Sequence, residues 1–124
     1  MQLTHEHKEI YRTVKQFVVD EINPHVEEWE KAGIWPAREI LKKMADLGLL
    51  GITKPAEYGG MGLKQDSVSN ALALEALAYG DLSLAMSVSI PLLTAQIIAE
   101  HGSEEQKAKL LPDFVAGSIF QVGL

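Results

Sequence analysis

Glu75 is a lone carboxylate in the most apolar stretch of the chain, surrounded by Ala71, Leu72, Leu74, Ala76, Leu77 and Tyr79. Burying an unpaired carboxylate is costly, so it needs a partner. It reads as an ion pair or an acceptor of loop amides, with a catalytic acid or base as the other reading. Gly59-Gly60-Met61-Gly62 has the composition of a phosphate loop. A dinucleotide fingerprint sets its glycines between a strand and a helix, over a longer spacing. Neither is present, and a plain turn is expected. His5 and His7 point in different directions on a helix, and His25 and His101 stand alone, so no metal site is expected. The doublets Glu27-Glu28 and Glu104-Glu105 do not face each other and read as solvated surface. Ala85, Ser89 and Leu93 fall four apart in a stretch, Leu82 to Ala99, that carries no charge. They form either a smooth stripe beside an apolar ligand or a face that lets helices approach closely, and packing is the plainer reading.

These residues are carried by helices, for period-two alternation is nowhere sustained while spacings of three and four recur. Thr4 caps a first helix whose stripe is Ile10, Val14, Phe17, Val18 and Ile22. Asn23-Pro24 interrupts it, since Pro24 has no amide. A short second helix is expected over His25 to Ala32, with Val26 and Trp29 inward and Gly33 at its end. The third opens at Pro36, buries Ile40, Leu41, Met44 and Leu47, and stops at Gly48. Leu49 to Gly62 is irregular. A fourth helix runs from Asp66 or Ser67 to Tyr79 and, being apolar on nearly every side, belongs inside a bundle. Asp81 caps the uncharged fifth, which Pro91 should kink and Gly102 close. Ser103 and Gln106 match a capping box, opening a last helix that ends near Leu111-Pro112, with a turn or short helix at 113–117. The expected fold is all-α: one domain over 1–124, an antiparallel bundle of about six helices.

The chain has 124 residues, enough for one domain with a real core, and 47% of them are hydrophobic, which argues against disorder. A formal net charge of −6 argues against a nucleic-acid binder and does not favour an anionic membrane surface. With no cysteine, disulfides, thiolate metal sites and cysteine nucleophiles are excluded. Met1 to Glu6 lacks the order of a signal peptide. The Leu82–Ala99 stretch holds Ser83, Ser87, Ser89, Thr94, Gln96 and Pro91, so it reads as a helix buried in protein rather than a membrane span.

Several phrases stand together in order. They are Gly48-Leu49-Leu50-Gly51-Ile52, Pro55-Ala56-Glu57-Tyr58-Gly59-Gly60-Met61-Gly62, Glu75, Gly80-Asp81-Leu82-Ser83-Leu84-Ala85, Gly102 through Pro112, and Ala116-Gly117. Over essentially the whole chain they resemble the N-terminal helical domain of the acyl-CoA dehydrogenases. The resemblance implies a three-domain FAD-dependent parent that oxidises the Cα–Cβ bond of an acyl-CoA thioester. Its electrons pass to an electron-transferring flavoprotein, and the parent is a homo-oligomer. The resemblance places the catalytic glutamate outside these residues, so Glu75 is structural and no catalytic, cofactor-binding or metal-binding residue is assigned. It also sets the fifth helix along the acyl-chain cavity, with Ala85, Met86, Ser89 and Leu93 as the wall. Family members commonly continue with Thr-Glu-Pro where this sequence ends at Ile119 to Leu124, so the 124 residues are expected to be an inactive fragment that binds no FAD alone. The competing class is a non-catalytic helical module for binding or assembly. The expected compartment is the cytoplasm for a bacterial parent and the mitochondrial matrix for a eukaryotic one. No membrane insertion is expected.

Overall fold

The structure, a computed structural model, describes residues 2–62 and 67–118. Asp66, one of the two candidate starts of the fourth helix, and the terminal 119–124 lie outside the described residues. The described residues form six α-helices: α1 (His5–Phe17), α2 (Val26–Ala32), α3 (Ala37–Asp46), α4 (Ser67–Gly80), α5 (Leu82–His101) and α6 (Glu104–Val115). There is no strand among the described residues, as the periodicity requires. The chain falls into two compact units, Met1–Pro36 with Ser67–Met86, and Ala37–Asp66 with Ser87–Leu124.

In the first unit α1 packs on α4. Thr4 caps α1 as expected: its hydroxyl accepts the His7 amide at 3.2 Å, while the His7 ring nitrogen accepts the Thr4 amide at 3.1 Å. The box is closed by a histidine instead of the usual Glu or Gln. Val14, Phe17, Val18 and Ile22 of the expected inward stripe are buried, and Ile10 is half-buried. The helix does not simply break before Pro24. It widens into a π-turn over Val18–Ile22, with the Asn23 amide donating to the Val18 carbonyl at 2.9 Å. Small residues on α4, among them Ser69, Ala73 and Ala76, are buried, and the helix ends against the π-turn. A Cβ on Gly80 would stand 2.3 Å from Val18 Cγ1. α2 closes on Gly33 in the left-handed region at φ 62°, as expected. Val26 and Trp29 are only half-buried. Trp29 stacks on His25 at 5.4 Å and meets Trp35 edge-on at 5.3 Å.

In the second unit α3 buries Ile40, Leu41 and Met44. Leu47 was expected inside and is 51% exposed. The helix ends at Asp46 and Gly48 turns the chain at φ 74°, so Leu47 leaves the inward stripe. The irregular stretch contains two short 3₁₀ turns, Leu49–Gly51 and Ala56–Tyr58. Ser103 and Gln106 form the expected capping box, at 3.2 and 2.9 Å. α6 runs through Pro112 to Val115, further than expected, and buries Leu111 and Phe114. The bond that Pro112 forgoes belongs to Ala108, and both residues are exposed, so solvent can serve that carbonyl. α5 likewise continues through Pro91.

Candidate functional site

α5 is set at its start by Asp81, whose Oδ1 accepts the Leu84 amide at 2.9 Å, the expected cap. One side of the helix, Leu84, Ala85, Val88, Pro91 and Ala95, is buried. The other side is open. Leu82, Met86, Ile90, Leu93 and Ile97 recur at spacings of four, four, three and four and are between 46% and 67% exposed. The reading of this stretch as a helix buried in protein therefore holds for one side of it only. An all-round apolar helix has a second face to cover, and the described residues of this chain do not cover it. By length and composition the 20-residue helix could also cross a membrane.

Two of the four expected wall residues, Met86 and Leu93, lie on this open face, and Ser89 is half-buried at its margin. Ala85 is only 6% exposed and belongs to the covered side, because residues four apart drift around a helix by about 40° per step. Leu82, Ile90 and Ile97 complete the face. Their three-and-four spacing was present in the sequence, but an all-apolar helix offers no polar side to mark which face is outward.

Other candidates resolve more simply. Glu75 is exposed, so no burial penalty demands a partner, which corrects the expectation of a buried ion pair. The glycine-rich stretch is a turn closed on itself. The amides of Gly59, Gly60, Met61 and Gly62 donate to the carbonyls of Ala56, Pro55, Gly51 and Lys54 at 2.8 to 3.0 Å. None is left to face a phosphate. Among the described residues no three His, Asp or Glu side chains converge as metal ligands do. An open cavity of about 450 Å³ lies along α1 between Leu3, Tyr11 and Val19 and the cations Lys8, Arg12 and Lys15. None of its lining residues is on α5.

Lys54 escaped sequence reasoning. It is 1% exposed, and its ammonium donates to Gln96 Oε1 at 2.9 Å and to Thr53 Oγ1 at 3.3 Å. Burial lowers its pKa to about 8, against the opposing pull of the Glu100 carboxylate. Nearby, Tyr58 donates to Glu104 at 3.1 Å and ties the loop to α6. Hydrogen bonds from Lys107 and Tyr58 hold the Glu104 carboxyl below its ordinary value.

The family model of the acyl-CoA dehydrogenase N-terminal domain matches residues 4–118. The chain belongs to this family. It is 37% identical over 115 residues to a probable acyl-CoA dehydrogenase of Bacillus subtilis, covering 92% of this chain and 19% of that protein. Butyryl-CoA dehydrogenase of Megasphaera elsdenii superposes with a TM-score of 0.86 at 31% identity, over 94% of this chain and 31% of that one. An acyl-CoA dehydrogenase of Bacillus anthracis, solved in complex with FAD, superposes at 0.81 with 36% identity, over 94% and 20%. The chain thus spans less than a third of these acyl-CoA dehydrogenases. Bacterial and mitochondrial proteins both occur among its relatives.

Proposed function

We propose that residues 1–124 form the N-terminal domain of an FAD-dependent acyl-CoA dehydrogenase, and that α5 supplies part of the wall of its acyl-chain cavity. The observation that carries this is the open face of α5, uncharged from Leu82 to Ile97, on a chain whose relatives are three or more times longer. Met86, Ser89 and Leu93 contact the acyl chain, while Ala85, on the covered side, takes no part in the wall. Met86 is unbranched and repacks around different chains. The parent takes acyl-CoA as substrate and passes electrons to an electron-transferring flavoprotein as a homo-oligomer. It inserts in no membrane and binds no nucleic acid. It resides in the cytoplasm if bacterial and in the mitochondrial matrix if eukaryotic.

The glycine-rich turn at Gly59–Gly62 spends its amides internally, so it does not fit the diphosphate of a flavin dinucleotide. FAD and the base that takes the α-proton belong to the rest of the parent. The isolated 124 residues are accordingly expected to emerge colourless from gel filtration.

Ser89→Leu in the full-length parent tests the wall. If Ser89 faces ligand space, the added carbons shorten the range of acyl chains accepted. Each excluded methylene removes up to about 0.8 kcal/mol of burial, while the melting temperature holds. If Ser89 faces closed protein, overpacking lowers stability by about 1–3 kcal/mol and the chain-length profile stays put. That second pattern removes Ser89 from the wall. A purified parent that reduces a dye with no acyl-CoA, short or long, ends the whole reading.

A further inference from the structure

Lys54 heads the fully buried side chains by volume, and the proposed cavity gives it no part. Its place is fixed from two directions. The backbone around it is knotted: its amide donates to the Gly51 carbonyl at 3.1 Å and its carbonyl accepts the Gly62 amide at 2.9 Å. Gly60 lies so near that a Cβ there would stand 2.1 Å from the Lys54 carbonyl oxygen. From this rigid base the side chain reaches α5, where the ammonium meets Gln96 Oε1 at 2.9 Å. The Gln96 amide group then donates to the Glu100 carboxylate one turn further on. The receiving helix has a soft point just before this contact. Pro91 donates no amide, so the ladder there lacks a rung.

A buried ammonium is a poor source of stability, because an apolar side chain of similar volume commonly does as well or better. What it supplies is uniqueness. A donor fixed in space is satisfied by one placement of its acceptor and penalises every other. A one-residue slip of α5 would rotate its faces by about 100° and take Gln96 away from the ammonium.

We propose that Lys54 is a positioning residue: it pins the post-proline half of α5, residues 92–101, to the 51–62 loop through Gln96, and so sets where Leu93 and Ile97 stand. This holds whether or not the open face lines a cavity.

The test is residue-resolved amide hydrogen exchange on the 124-residue chain, alongside its thermal midpoint. Lys54→Met keeps most of the volume and removes the donor. Protection of amides 95–101 is expected to fall about tenfold or more, while α1 is unaffected and the midpoint is unchanged or higher. Gln96→Leu should loosen the same amides to the same degree. Gln96→Glu, which keeps an acceptor, should stay within about threefold of the parent chain. Adding Lys54→Met to Gln96→Leu should cause no further loss, the mark of one shared contact. Unchanged protection in both single variants overturns the proposal. So does a loss spread evenly over α1 and α5 in step with a lower midpoint, which is what a merely structural lysine produces. Should Lys54→Met fail to fold, the contrast between Leu and Glu at position 96 decides, and equal effects of the two reject it.

Discussion

Lys54 also makes a pH-dependent contribution whose sign is fixed by its environment. Its folded-state pKa is about 8, below the ordinary 10.5, because burial disfavours the charged form. Between those values the unfolded chain binds the extra proton, so stability rises with pH across that window and is lower beneath it. Denaturant titrations from pH 7 to about 10.5 should show this rise in the 124-residue chain, and Lys54→Met should flatten it. A rise that persists with methionine at that position assigns the effect to another group. No pattern in the sequence announces this residue. A lysine between Thr53 and Pro55 looks like loop surface, and only the folding of 51–62 back on itself buries it.

At the scale of elements, caps and breakers behaved as local chemistry dictates at Thr4, Gly33, Asp81 and Ser103, where partners lie within four residues. Pro112 and Pro91 are different: each sits inside a helix that continues past it, because the surrounding packing and solvent make up for one lost bond. The 51–62 loop is the element most sensitive to a single atom. Gly60→Ala places a methyl group against the Lys54 carbonyl, backbone against which no rotamer can yield. A loss at the upper end of overpacking costs, about 3 kcal/mol, is expected in chemical denaturation. A loss below about 0.5 kcal/mol would show that the loop shifts freely. Gly33→Ala makes a useful contrast. No atom lies within 4 Å of the added Cβ, so only the left-handed backbone is penalised, by about 1 kcal/mol.

For the whole molecule, the governing fact is that α5 leaves a large apolar face without cover from the described residues. Contiguous apolar patches beyond a few hundred Å² are unusual on monomers. The 124-residue chain should therefore bind a hydrophobic dye or self-associate as its concentration rises. Replacing Met86, Ile90 and Leu93 together by Gln should abolish both without lowering the melting temperature. A chain that stays monomeric at high concentration and binds no dye contradicts this. So does a triple variant that unfolds, since it would mean that the face is packed.

The sequence by itself determined the six helices of the described residues, most of their ends, most of the inward stripe of α1 and the absence of strands among those residues. Each of these depends on neighbours three or four residues away, and the residue types encode them locally. It also carried the family, through phrases spread along the whole chain. Tertiary structure decided what depends on distant partners. Ala85 turned inward although it shares the four-residue spacing of Ser89 and Leu93, because helical drift carries it round to the packed side. Glu75 proved exposed in an apolar helix, since an average over all sides does not say which side is covered. Lys54 found its acceptor on Gln96, 42 residues away. No local propensity encodes a contact at that separation; it exists only once the loop and the helix are packed together.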